Sequence, residues 1–116
     1  MHVPHTALEP IAFDALEIWD YTAALGGRSS LARIEVPPSA RHARAWSRRS
    51  DKDYLVVSGT LHFELDGREL VLGPGDFCRV PQGARFSYEN RGPVGVTLVL
   101  VHAPAFDLAS EVFEDA

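Results

Sequence analysis

The chain has 116 residues, 46% of them hydrophobic and 23% charged, with a formal net charge of −5. This is one domain of ordinary globular composition, able to bury about two thirds of its unfolded surface, and its acidic balance gives no reason to expect a nucleic-acid partner. The single cysteine, Cys78, excludes an internal disulfide framework and a cysteine-built metal site. No apolar run is long enough to span a membrane, and Met1-His2-Val3-Pro4-His5 lacks the apolar core of a signal peptide, so no membrane partner and a cytoplasmic location are expected.

Residues 1–29 read as a lead-in segment. Pro4, Pro10 and Gly26-Gly27 bracket a stretch, Phe13 to Leu25, whose apolar positions fit neither helical nor strand period, so a lead-in strand or a short helix is expected. From residue 30 onward the chain reads as short strands divided by turn chemistry. Leu31 to Val36 is a strand stopped by Pro37-Pro38, and Asp53 to Val57 is a second that ends at Gly59. Leu61, Phe63 and Leu65 alternate with His62 and Glu64, as in a half-buried strand. Asp66-Gly67 predicts a type I′ hairpin into Glu69 to Leu72. Gly73-Pro74-Gly75 turns the chain into Phe77 to Val80, and the apolar run Val96 to Val101 suits a strand buried on both faces. No useful helix follows residue 27, so the fold is all-β, a sandwich or barrel in one domain, without a helix-turn-helix.

The stretch Gly75 to Asn90 carries the spacing G-x5-P-x-G-x2-F-x3-N, made by Gly75, Pro81, Gly83, Phe86 and Asn90. It resembles the second signature of the cupin superfamily at every position but one, because the slot held here by Phe86 is a metal-binding histidine in that family. The first signature, G-x5-H-x-H-x3,4-E-x6-G, resembles the segment that closes at Gly59. Its glutamate slot then holds Lys52. The two histidine slots hold Trp46 and Arg48 with the three-residue spacer, or Ala45 and Ser47 with the four-residue spacer. Neither register supplies a metal ligand, since a phenyl ring has no lone pair and cations repel a metal ion. The resemblance implies a double-stranded β-helix (jelly-roll barrel) over residues 30–116, ending in a short acidic tail. The replaced residues in its ligand slots imply no bound metal, and no other cofactor is expected. Residues 1–29 would pack on the barrel or on a partner in a homodimer.

The same resemblance aims Trp46, Arg48, Lys52 and Phe86 at the barrel interior, where two aromatics and two cations suit a small anionic or aromatic metabolite. The chain is therefore expected to be a metal-independent binder of such a small-molecule ligand. The bland alternative is a filled barrel, with Trp46 and Phe86 as core and with Arg48 and Lys52 reaching to solvent, which would suit a structural or assembly protein. A third reading is a metal-free isomerase, epimerase, cyclase or lyase. Tyr54 shares the face of Lys52, Tyr88 shares that of Phe86, and His102 ends the last strand, so Lys52, Tyr54, Tyr88 and His102 are the candidates for proton transfer. Each tyrosine has a plain alternative as a core residue with one hydrogen bond. His62 is expected to face water, Cys78 to be a small buried hydrophobe, and nothing indicates that His42, His62 and His102 converge on a metal.

Charge is uneven along the chain. Residues 28–49 hold six arginines (Arg28, Arg33, Arg41, Arg44, Arg48, Arg49) against Glu35, while residues 9–20 and 107–116 each carry four acids and no base. This pattern predicts either acidic termini lying on a basic rim or an anion-attracting mouth to a pocket.

Overall fold

The computed structural model describes residues 1–114, whose strands run in the order β1 (Ile11–Phe13), β2 (Leu16–Asp20), β3 (Ser30–Val36), β4 (Arg41–Ser47), β5 (Asp51–Ser58), β6 (Leu61–Leu65), β7 (Arg68–Leu72), β8 (Phe77–Val80), β9 (Phe86–Glu89), β10 (Val96–Ala103) and β11 (Glu111–Phe113). They form a six-stranded sheet in the order β1-β2-β3-β10-β5-β8 and a five-stranded sheet in the order β11-β4-β9-β6-β7, and the pairings within both are antiparallel. The inward positions of the two sheets meet in one core that includes Leu16, Ile34, Val36, Val56, Leu61, Phe63, Val80 and Leu98. This is the all-β jelly-roll architecture that the sequence predicts.

Turn chemistry fixes the strand ends. Asp66 and Gly67 take φ of 47° and 82° and join β6 to β7 through the expected two-residue hairpin. Gly59 has φ +85°, and a Cβ there would stand 2.8 Å from the Gly95 carbonyl oxygen, so glycine is required between β5 and β6. The frame of the second signature serves the backbone. Gly75 N–H donates to the Val56 carbonyl at 2.7 Å, and buried Asn90 donates to the Val36 and Val94 carbonyls at 2.9 and 2.7 Å. These contacts need no metal, which explains how the frame persists without the ligands.

Four features differ from the sequence expectation. The lead-in segment holds a strand, β2, as one of the two expected alternatives, but it is paired in a hairpin about Asp14 (φ 52°) with a further strand, β1, and both extend the six-stranded sheet. β4 and β9 hold too few consecutive apolar residues to read as strands, yet they pair in the middle of the five-stranded sheet. The acidic tail is partly structured, with a 3-10 turn at Leu108–Ser110 and with β11 paired to β4. Finally, β10 is buried on its inward face only. Val99 and Val101 point outward and are half-buried.

The uneven charge has the plainer of its two explanations at the C-terminal end. Glu114 lies 3.3 Å from Arg44 and 3.9 Å from Arg85, and Asp107 lies 3.9 Å from Arg49. Arg33 and Glu35 point outward and pair at 3.6 Å.

Candidate functional site

Register brings polar side chains into the barrel at one end. Lys52 and His102 are direct partners between β5 and β10, and Glu111 is the partner of Ser47 between β11 and β4. All four side chains point inward. Lys52 forms a buried ion pair with Glu111, and His102 Nε2 stands 3.7 Å from the same carboxylate oxygen. Burial pushes the Glu111 carboxyl up, but the His102 ring, the Lys52 charge and the Ser47 hydroxyl outweigh it and hold the group down at about 2. Burial lowers the Lys52 ammonium, and the Glu111 charge opposes that shift. Glu111 therefore stays a carboxylate beside a cation.

The family's histidine slot at Phe86 separates this ionic cluster from an aromatic one. Lys52 Nζ lies 4.8 Å from the Phe86 ring, and the ring of His42 lies 5.0 Å from Phe86 and 5.2 Å from Tyr88. Tyr54 packs 5.8 Å from both Phe86 and Tyr88. Burial pushes His42 down to about 4, against the hydrogen bond of Nδ1 to the Ala43 carbonyl (2.6 Å), so the ring is neutral at neutral pH. With Nδ1–H donating to that carbonyl, Nε2 is left with its lone pair. Burial raises both tyrosine hydroxyls, Tyr54 well above its ordinary value, so both stay protonated. The rings of Phe13 from β1 and Phe113 from β11, 5.2 Å apart, close over His42.

The four residues expected to transfer protons, Lys52, Tyr54, Tyr88 and His102, all face this interior and are buried. The four residues expected to bind ligand divide. Lys52 and Phe86 face inward, whereas Trp46 and Arg48 are on the outside of β4, a correction to the expected direction. There Arg48 and Arg85 stack on the Trp46 ring at 5.1 and 4.5 Å. The cause is a β-bulge between His42 and Ala45, which turns His42, Ala45 and Ser47 to the same inward face. Sequence reasoning missed His42 and Glu111 as site residues. No periodicity signals a bulge, and Glu111 sits in a segment whose composition reads as a solvated tail. His62 is half-buried on the outer side of the five-stranded sheet, in a groove of about 490 Å³ that also includes Arg41, Glu64, Glu69 and Arg91. Cys78 is buried in the core, as expected.

The same bulge decides between the two registers of the first signature. The inward slots are Ala45, Ser47, Lys52 and Phe86. A methyl, a hydroxyl, a cation already paired with Glu111 and a phenyl ring make no site for a metal ion. Among the described residues, no group of three or more His, Cys, Asp or Glu side chains is placed to hold one. The residues present do not fit the metal that the resemblance associates with this fold.

Comparisons with known proteins bear on the same barrel. The structure superposes on Streptomyces Pac13, described as a unique nucleoside dehydratase, with a TM-score of 0.85 and 23% identity over 99% of this chain and 91% of that one. Pac13 variants in which a histidine is replaced by glutamine, or one of two tyrosines by phenylalanine, have been solved with uridine. A predicted oxalate decarboxylase of Thermotoga maritima superposes with a TM-score of 0.81 and 19% identity, over 90% of this chain and 99% of that one. At these identities the likeness is one of fold. Homogentisate 1,2-dioxygenase of Caenorhabditis elegans is 31% identical over 94 residues, and the match takes in 76% of this chain but 22% of the enzyme. The family model for the cupin domain matches residues 32–102. Together with the two antiparallel sheets and the two signature frames, this match makes the chain a member of the cupin family.

Proposed function

We propose that this chain is a cupin enzyme that takes a small, nucleoside-like molecule into the barrel and moves a proton with His42. The observation that carries this reading is a set of unpaired polar atoms. Tyr88 Oη, His102 Nε2 and Glu111 Oε2 are buried without a hydrogen-bond partner. Each such atom costs about 1–3 kcal/mol if nothing answers it. A ligand rich in hydroxyl and carbonyl oxygens would answer all three, whereas an apolar filling would answer none.

His42 is suited to act as the base, because it is neutral and its Nε2 lone pair is uncommitted. Tyr54 and Tyr88 keep their protons and can donate hydrogen bonds to an oxygen on which charge develops. Together these groups suit abstraction of a proton beside a carbonyl, followed by isomerisation or by loss of a hydroxyl group as water. The Pac13 likeness points the same way, since that protein is a nucleoside dehydratase with a histidine and two tyrosines probed in uridine complexes, and His42, Tyr54 and Tyr88 cluster here. No step uses a metal, for which the inward slots offer no ligands. Dioxygenase chemistry therefore finds no support in this barrel.

Uridine is the probe for the test, titrated by calorimetry and followed on the His42 imidazole resonances. Wild-type protein is expected to bind it, and Tyr88→Phe to bind it about tenfold more weakly without losing stability. If neither uridine nor another nucleoside binds the wild type, the reading is wrong, whatever the stability of Tyr88→Phe. A filled barrel is the second reading. It is favoured by the deep burial of the interior side chains and by the closure of Phe13 and Phe113 over His42. It predicts no ligand and a Tyr88→Phe variant as stable as the wild type.

A further inference from the structure

The interior that holds the unpaired polar atoms is shut. Tyr88 Oη, His102 Nε2 and Glu111 Oε2 are all out of solvent, so no molecule reaches them unless part of the wall moves. One stretch of wall is held differently from the rest. β1 is the outermost strand of the six-stranded sheet and β11 that of the five-stranded sheet, and among the described residues no strand pairing or backbone hydrogen bond joins them. Phe13 from β1 and Phe113 from β11 bridge this seam, with their rings 5.2 Å apart. Phe113 is 43% exposed, yet its ring lies 6.2 Å from that of buried His42, so a single layer of side chain separates His42 from solvent.

A second exposed ring offers a rival route. Phe106, 44% exposed, packs edge-on to His102 at 5.1 Å. Its segment is tied down at three successive residues. Phe106 N–H donates to Ser30 Oγ at 2.9 Å, Arg49 donates to the Ala105 carbonyl at 3.0 Å, and the Ser50 hydroxyl donates to the Pro104 carbonyl at 2.7 Å. Those bonds must break before that segment lifts. The turn before β4 is clamped as well, since Ser39 N–H donates to the Asn90 carbonyl at 2.9 Å and the Asn90 side chain holds Val36.

We infer, resting on the ligand-binding reading of the barrel, that Phe13 and Phe113 form a gate and that the ligand enters between β1 and β11 when the two rings swing outward. The strand itself need not leave. At one end of β11, Glu111 is held by Lys52 inside the barrel. Just past the other end, Glu114 N–H donates to the Arg44 carbonyl at 2.8 Å, and its carboxylate lies 3.3 Å from the Arg44 side chain. Phe113 sits between these two anchors, so rotation about its own side-chain bonds moves the ring into water without breaking a hydrogen bond. Across the seam, Phe13 precedes the Asp14 turn (φ 52°) on a strand paired on one side only, with β2. Ring packing is what holds the gate shut. Closure then returns His42 to dry surroundings, which lets a sealed site exchange its ligand.

Diethyl pyrocarbonate tests the gate without any ligand, because it carbethoxylates a neutral imidazole nitrogen that it can reach. Modification of His42 is followed by peptide mass spectrometry at about pH 8, where the ring is neutral in every variant. Wild-type His42 is expected to react slowly, at a rate that low urea leaves unchanged, since a swing of two rings exposes little new surface. Phe13→Ala and Phe113→Ala should each speed the reaction about tenfold, and Phe113→Trp should slow it. Phe106→Ala removes an equally exposed ring over the other histidine and should leave the His42 rate as it is, which controls for general loosening. The readout needs no uridine, so a failure to bind uridine strikes the proposed ligand while the His42 rates still decide the gate. Rates unmoved by the Phe13 and Phe113 variants would overturn the gate. So would a rate raised as much by Phe106→Ala, or a wild-type rate that climbs steeply with urea, the sign that only global unfolding admits the reagent.

Discussion

Lys52 and Glu111 form an ion pair sealed inside the barrel, with side chains 6% and 2% exposed, although one belongs to a central strand and the other to the last three-residue strand. The pair ties the C-terminal segment to the interior. It also fixes the position of the carboxylate whose second oxygen, Oε2, remains unpaired.

Removing one member of the pair leaves the other charge buried. Lys52→Ala or Glu111→Ala should destabilise the fold by about 3–5 kcal/mol, whereas Lys52→Met combined with Glu111→Leu should cost far less than the sum. Chemical denaturation of the four proteins gives the coupling directly. Additive losses would mean that the pair is not buried as described.

Stability should fall in acid in two windows. His42 is held at about 4 when folded, below the ordinary imidazole value of 6.5, so the unfolded chain binds the extra proton first. Its contribution is fully present above pH 6.5 and is lost as the pH drops towards 4, an effect of about 3 kcal/mol at most. Glu111 is depressed from 4.5 to about 2, so its share is lost below pH 4.5. His42→Gln should flatten the first window and leave the second. Unfolding free energies measured from pH 7 to pH 3 would show both.

Phe13 and Phe113 keep water from His42. Phe13→Ala or Phe113→Ala should raise the His42 pKa from about 4 towards 6.5 by opening the ring to solvent, read from an NMR titration of the imidazole. An unmoved pKa would mean that deeper packing, and not this pair of rings, desolvates His42.

Gly59→Ala should cost about 2–3 kcal/mol, because a Cβ would strike the Gly95 carbonyl and the Val96 side chain at 2.8 Å in a backbone conformation that favours glycine. Gly67→Ala, at a similar φ but with no atom within 4 Å of the added Cβ, should cost less. Thermal unfolding of the two variants compares strain plus collision with strain alone.

Much of this molecule is legible along the chain. Alternation in Leu61 to Leu65, the Asp66-Gly67 turn and the spacing from Gly75 to Asn90 are local patterns, and each specifies a local backbone geometry that the fold keeps. Strand alternation is also enough to place Lys52 with Tyr54 and Phe86 with Tyr88 on shared faces. These local patterns imply an all-β sandwich or barrel, the resemblance of the signature spacing narrows it to a jelly roll, and the residues in the ligand slots remove the usual metal ligands.

Tertiary structure alone decided the rest. The bulge in β4 reverses the direction of every side chain beyond it, putting Ala45 and Ser47 inside and Trp46 and Arg48 outside, and a one-residue slip leaves no trace in composition. Glu111 becomes part of the interior only when β11 pairs with β4, a contact between distant segments that no local window contains. His42 is ordinary as a residue type and becomes a candidate base only through the rings that desolvate it. Local sequence sets where a strand can begin and end, and long-range pairing sets which of its faces meets which chemistry.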